Sequence, residues 1–218
     1  MTNTNPPPPA TGRIVAFDFD GTLTRGDSLL PFLWRHLGAG GLARALLLSS
    51  PWLAAFALRL IDNERAKTHL LRAALAGRSL VEVEAWADTF ARDHLPGQWT
   101  PWALARLRAH QAAGDCCVMV SASPDVYLRA AARSLGIPVL LCTELEIDAQ
   151  GRLTGRMHSR NCHGAEKVNR LREWLGARAP ADGQPLVDEA YGNSSGDHAM
   201  LNAARVGWMH DRPWSPRV

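Results

Sequence analysis

Four short apolar runs, three of them finishing in polar side chains, set the limits on what this chain can fold into. They are "RIVAFDFD" (residues 13–20), "CCVMVSAS" (116–123), "PVLLCTELEI" (138–147) and "PLVDEAYGNS" (185–194). In the first, Val15 and Phe17 share one face and Ile14 and Ala16 the other. Both faces are therefore apolar, as in a strand covered on both sides. A weaker run, "ARVGWMH", surrounds Trp208. Between the runs lie helical patterns: "TPWALARLRAHQAAG", stopping at Gly114; "SPDVYLRAAARSLG", opening on Ser-Pro and stopping at Gly136; and "AEKVNRLREWLG", stopping at Gly176. Such stops and starts are ordinary helix punctuation. "EIDAQGRLTGRM" reads as a hairpin about Gly151. Strands alternating with helices predict an α/β fold with a parallel sheet covered by helices.

One stretch breaks the alternation. Residues 27–96 carry only helical patterns, among them "DSLLPFLWRHL", "GGLARALLLSSPWLAAFALRLI", "NERAKTHLLRAALAG" and "SLVEVEAWADTFARDHL". A helical insert directly after the first strand is placed to cover the carboxyl end of the sheet, where open α/β sheets bind ligands. The expected division is a core of residues 13–26 and 97–218 and a helical cap of residues 27–96. The start, "MTNTNPPPPATG" (residues 1–12), has four consecutive prolines and no apolar core, so it predicts a poorly ordered tail and no secretory signal. A formal net charge of +3, with no Lys/Arg block, argues against nucleic acid as a partner. Cys116, Cys117, Cys142 and Cys162 form no C-x-x-C pair, which argues against structural zinc or a disulfide framework. A reducing, cytoplasmic setting is expected.

The strand ends carry the chemistry. The first ends in Asp18 and Asp20, the second in Ser121 and Ser123, the fourth in Asn193, Ser194 and Asp197. Lys167 falls in the first turn of an expected helix, where a cation opposes the macrodipole unless an anion is near. Parallel strands bring their carboxyl ends to one edge, so these groups can converge. Hard oxygen ligands of this kind suit Mg²⁺. Lys167, Ser121 and backbone N–H groups after Asp18 can hold phosphate oxygens, and a carboxylate can act as a covalent nucleophile in phosphoryl transfer.

"DFDGTLT", the serine of "VMVSASPD", the lysine of "CHGAEKVNRL" and the acid of "YGNSSGDHAML" together resemble, in order, the four motifs of the haloacid dehalogenase superfamily. The resemblance runs from about Arg13 to Trp208. It implies a Rossmann-like core and a Mg²⁺-dependent phosphatase. Asp18 would be the nucleophile that forms an aspartyl phosphate, and Asp20 the acid that protonates the leaving group and then activates water. Gly21, Ser121, Ala122 and Lys167 would bind phosphate. The metal would be held by Asp18, the backbone carbonyl of Asp20, and Asn193 with Asp197. The insert resembles the C1-type cap of the phosphoserine-phosphatase-like branch, subfamily IB. Two departures stand out. Asn193 replaces an acid of the branch's "GDxxxD", which predicts weaker metal binding or a larger share for Asp197. "SASP" and "NCHGAEK" are closer to the phosphatidylglycerophosphatase C type than to phosphoserine phosphatase.

The implied substrate is a phosphorylated small molecule or a lipid phosphate such as phosphatidylglycerophosphate. A soluble monoester of the phosphoserine or histidinol phosphate type stays open, as does a catalytically weak phosphate-binding or regulatory module. Asp27 reads equally as a helix cap and as a substrate-reading acid of the cap. Arg72 is a second candidate substrate reader, against a solvated helix face. His163 and His198 flank the motifs and read as peripheral. Residues 42–61, Leu42 to Ile61, hold fifteen apolar side chains among twenty, with only Arg44 and Arg59 charged. Length alone allows a membrane span. The central Ser-Ser-Pro argues instead for two short helices joined at Pro51. That surface then packs inside the cap, meets a dimer partner, or makes a peripheral contact with the inner face of a membrane. The oligomeric state is not readable.

Overall fold

The computed structural model describes residues 5–181 and 183–215. Its centre is a six-stranded sheet in the order β3-β2-β1-β6-β7-β8. The strands are β1 (Ile14–Phe17), β2 (Cys116–Pro124), β3 (Val139–Thr143), β6 (Val187–Gly192), β7 (Ala204–Met209) and β8 (Arg212–Pro213). β1 lies between β2 and β6, parallel to both, and only β8 runs antiparallel to its neighbour. The third apolar run divides: β3 stays in the sheet, while β4 (Leu145–Ile147) pairs with β5 (Leu153–Met157) as a separate hairpin.

The two faces of β1 enter different cores, as its alternation requires. Val15 and Phe17 join Met119, Tyr127 and Tyr191 on one side. Ala16 joins Val118, Val120, Leu171 and Leu201 on the other. The first side is covered by α4 (Pro101–Ala112) and α5 (Asp125–Leu135), and the second by α6 (Ala165–Leu175) and α7 (His198–Asn202).

Three helices fill the insert: α1 (Leu29–Ala57), α2 (Asn63–Leu75) and α3 (Leu80–Asp93). The chain leaves and rejoins the core side by side, since Arg25 N–H donates to the Gln98 carbonyl (2.9 Å) and Thr100 N–H to that of Leu23 (2.9 Å). The insert is not a separate globule. Phe32 and Phe90 pack on Tyr127 of α5, and the apolar cluster runs from β1 through all three helices.

Two expectations require correction. Pro51 does not divide the apolar segment; it sits inside α1. A proline at this position leaves the Leu47 carbonyl without its helical donor. The Ser50 hydroxyl donates to that carbonyl at 2.8 Å, and the Ser49 hydroxyl to Ala45, so the helix passes through. The break falls instead at Gly38, with φ 67° and ψ 178°, a conformation that costs glycine least. The described part of the expected tail is also tied down. The Asn5 amide exchanges two hydrogen bonds with the Leu140 backbone (2.9 and 2.8 Å), and Trp174 and Arg178 donate to the Pro6 and Pro8 carbonyls. Asn5 pairs with β3, an edge strand whose backbone groups need partners. Residues 1–4 of the expected tail lie outside the described residues.

Candidate active site

After β1 the chain turns through Phe19–Leu23 with Gly21 at φ 79°. A Cβ on Gly21 would lie 2.1 Å from Asn193 Nδ2, so the first and fourth motifs meet only because this residue is glycine. Asp18 is buried, and its N–H donates to the Tyr191 carbonyl at 2.9 Å, which fixes it against β6.

Lys167 lies in the first turn of α6 and is 2% exposed. Its ammonium donates to Asp18 Oδ1 (2.6 Å), Asp197 Oδ1 (2.6 Å) and the Val120 carbonyl (3.0 Å). The anion expected beside this lysine is thus a pair of carboxylates, which hold its pKa above the ordinary lysine range although burial works to lower it. Two buried carboxylates sharing one ammonium leave a net negative charge. Asp197 Oδ2 also accepts from the backbone N–H groups of Asn193 (3.1 Å) and Ser194 (3.0 Å) and from the Ser194 hydroxyl. Burial alone would raise Asp197, but Lys167 and these donors hold it below the usual carboxylate range. Besides Lys167, Asp18 accepts from the Thr22 hydroxyl (2.9 Å), and burial pushes it up to about 7.

Asp20 turns away from this cluster. Its Oδ1 accepts from Ser28 N–H (2.8 Å) and its Oδ2 from the Ser123 hydroxyl (2.5 Å). Burial raises its pKa against those hydrogen bonds, as suits a carboxyl that carries a proton. Ser121 is buried, with its hydroxyl accepting from Ser123 N–H. The Ala122 carbonyl accepts from Thr143 (2.7 Å) and from Lys67 of α2 (2.6 Å).

A cavity of about 430 Å³ unites these groups. Asp18, Asp20, Ser121, Ala122, Lys167 and Asp197 line its floor, with Asp27, Lys67 and His163 around them. Leu46, Leu53 and Phe56 of α1 and Leu70 of α2 form an apolar wall. Asp27 precedes the N-cap of α1, accepts from Leu30 N–H at its Oδ1 (3.2 Å) and lines the cavity.

Arg72 is not part of this lining; its backbone packs on the hairpin, where a Cβ on Gly155 of β5 would lie 2.4 Å from the Arg72 Cα. The cap cation is Lys67, five residues earlier, and at about 100° per residue the two point roughly 140° apart around α2. Nothing in "NERAKTHLL" separates Lys67 from a solvated lysine, so only the fold reveals it. His163, read as peripheral, lines the cavity, while His198 stacks on Trp214.

The fit of a hard cation rests on the oxygens around Asn193. One end of its amide lies 3.2 Å from Asp18 Oδ2 and 3.0 Å from the Asp20 carbonyl oxygen; as NH₂ it donates to both, and as oxygen it makes a third acceptor. Three acceptors facing one another repel unless a cation lies among them or the amide turns its NH₂ inward. Ligand oxygens about 2.9 Å apart are what a Mg²⁺ shell with 2.0–2.1 Å bonds requires. Among the described residues no three or more His, Cys, Asp or Glu side chains form a metal cage.

Residues 15–202 match the family model of the haloacid dehalogenase-like hydrolases. Protein CicA of Caulobacter vibrioides is 37% identical over 194 residues, which span 88% of this chain and 82% of that protein. A probable phosphatase of Mycobacterium tuberculosis is 29% identical over 192 residues, 86% of this chain and 64% of that protein. A crystal structure of a Bordetella pertussis protein of unknown function matches with a TM-score of 0.77 at 30% identity, covering 94% of this chain and 92% of its own. The chain belongs to the haloacid dehalogenase-like hydrolases.

Proposed function

We propose that this hydrolase is a Mg²⁺-dependent phosphomonoesterase acting through an aspartyl phosphate on Asp18. The observation that carries the reading is the buried bridge of Lys167 between Asp18 and Asp197. A carboxylate and a lysine ammonium side by side at the floor of one cavity support that reading, because phosphoryl transfer needs a nucleophile and a cation at one point. An Asp18 oxygen attacks phosphorus while the bond from phosphorus to the leaving oxygen breaks and Asp20 gives that oxygen its proton. Asp20 then takes a proton from water as the water oxygen attacks phosphorus, releasing phosphate and restoring Asp18. Ser121, Lys167 and the backbone at Gly21 and Ala122 hold the phosphoryl oxygens. Asp18, the Asp20 carbonyl and the Asn193 amide would hold Mg²⁺, which when bound offsets the charge shared by Asp18 and the phosphoryl group. Asp197 stands behind them, fixing Lys167 and the Asn193 backbone.

The apolar wall favours a leaving group with a sizeable apolar part. A lipid phosphate, such as phosphatidylglycerophosphate, would use Leu46, Leu53 and Phe56, whereas a phosphoserine- or histidinol phosphate-type substrate would leave them idle. Purified protein is expected to hydrolyse p-nitrophenyl phosphate only with Mg²⁺, and Asp18→Asn is expected to be inactive. Asn193→Asp should lower the Mg²⁺ concentration for half-maximal rate, because affinity follows ligand charge. Full activity of Asp18→Asn would end the covalent reading. No turnover by wild type of any phosphomonoester, lipid phosphates in detergent included, would favour a binding module.

A further inference from the structure

The second half of α1 presents two different sides. One, with Leu46 and Leu53, lines the active-site cavity. The other exposes Leu47 (74%), Leu48 (51%) and Trp52 (37%). Phe56 belongs to both, lining the cavity and being 43% exposed. The chain then reverses, with Arg59 at φ 59°, and the tip exposes Leu58 and Leu60 at 71% and 73%. Single exposed leucines are ordinary, but a run of aliphatic and aromatic side chains over one helix and its turn is an interaction surface.

Charge decides what covers it. No Asp or Glu occurs from residue 28 to residue 61, while Arg35, Arg44 and Arg59 do. The first acids after the turn, Asp62 and Glu64, are exposed at the start of α2, beyond the apolar tip; Asp62 caps α2 by accepting from Arg65 N–H, and Glu64 accepts from Asn161 N–H. A second copy meeting this helix with its own α1 would set Arg44 and Arg59 against equal charges. An anionic bilayer supplies apolar depth for the leucines and negative headgroups for the arginines. Among the described residues no helix is long and apolar enough to cross a membrane, so the contact is one of lying on the surface.

We propose that Leu47, Leu48, Trp52, Phe56, Leu58 and Leu60 form a docking surface for an anionic lipid bilayer, and that Phe56 joins this surface to the cavity. Docked this way, the enzyme takes a lipid phosphate sideways from the bilayer, with the acyl part against α1 and the phosphoryl group at Asp18. The docking half stands on the exposed surface alone, and the loading half rests on the phosphatase reading.

The test is vesicle flotation of the full chain, with p-nitrophenyl phosphate turnover and solution mass measured on the same samples. Wild type is expected to float with vesicles of equal parts phosphatidylglycerol and phosphatidylcholine, and much less with phosphatidylcholine alone. The triple variant Leu47→Ser, Leu58→Ser, Leu60→Ser touches no cavity residue. It should lose roughly tenfold or more of the floated fraction while keeping its turnover in solution. Arg44→Glu with Arg59→Glu should weaken flotation on the anionic vesicles without removing apolar surface. Docking is overturned if wild type stays unbound, or if the triple variant floats as well as wild type. It is also overturned if wild type is a dimer that the triple variant dissolves while neither floats. Flotation without any phosphatase activity would keep the docking surface and remove the phosphatase reading.

Discussion

Asp18 is the residue where the site's charge imbalance settles, because burial outweighs Lys167 there, whereas two backbone N–H groups and the Ser194 hydroxyl join Lys167 in holding Asp197 charged. In the metal-free protein burial holds the Asp18 carboxyl at about 7, above its value in an unfolded chain. Between the two values the native state keeps a proton that the unfolded state has lost. Native stability from this group is therefore full below the unfolded pKa and falls as pH rises toward about 7. Asp18→Asn removes the titration. With metal chelated, its urea midpoint should fall less than that of wild type between about pH 5 and about pH 7.5, a difference on the order of a few kcal/mol at most. Identical pH slopes would place the proton elsewhere. Asp20 makes a separate prediction. Asp20→Asn should lose ~10²–10⁴ in rate on alkyl phosphates and less on p-nitrophenyl phosphate, whose leaving group needs no proton. Equal losses on both would remove it as the acid. Asp18, Asp20, Ser121, Asn193 and Asp197 could be read as candidates because they stand at or just after strand ends, which converge in a parallel sheet whatever the side-chain detail, and Lys167 because a cation in a first helical turn calls for an anion. The orientation of Asp20 was not legible, since it depends on Ser28 and Ser123 reaching it from two other segments.

Among the elements, the strands were the most legible, because burial on both faces leaves a continuous apolar run that few other structures tolerate. Helix continuity was harder to read. Pro51 signals a break, but the Ser50 hydroxyl answers it locally, and the true interruption at Gly38 has no neighbouring proline to announce it. The third run looked like one strand because Glu144, where it changes sheets, is flanked by residues that suit either partner. The N-terminal segment misled for a related reason. Its prolines cannot donate to a ladder and so suggest disorder, yet their carbonyls accept from Trp174 and Arg178 and the Asn5 side chain replaces a strand's backbone. Removing residues 1–12 should cost on the order of 1–3 kcal/mol in chemical denaturation, the net worth of a few such hydrogen bonds. It should leave turnover unchanged and expose the β3 edge to self-association. A fragment as stable as the full chain would make this segment a passive tail after all.

At the scale of the whole molecule, the cavity is built from two sources that the chain contributes separately. The sheet edge and the turns after it supply Asp18, Asp20, Ser121 and Asp197, α6 supplies Lys167, and the helical insert supplies Lys67 and the wall of Leu46, Leu53, Phe56 and Leu70. Lys67 ties the two together through the Ala122 carbonyl, beside the serine expected to hold phosphate. Burial lowers its pKa while Asp20 and Asp27 oppose the shift. That single backbone acceptor engages one of the three N–H groups an ammonium carries, and Lys67 faces the cavity. Such a cation is placed to meet the phosphoryl group, which every substrate shares, whereas the wall can meet only the part of a substrate that differs. Lys67→Met should therefore lower kcat/KM by about tenfold or more for an aryl phosphate and a lipid phosphate alike. Phe56→Ala should lower it for the lipid phosphate, measured in detergent to remove any effect of docking, and barely change the aryl phosphate. The two-by-two comparison decides the matter. If Phe56→Ala harms both substrates equally, the wall shapes the fold and not the choice of substrate. If Lys67→Met harms neither, its ammonium is only a tie between α2 and the sheet.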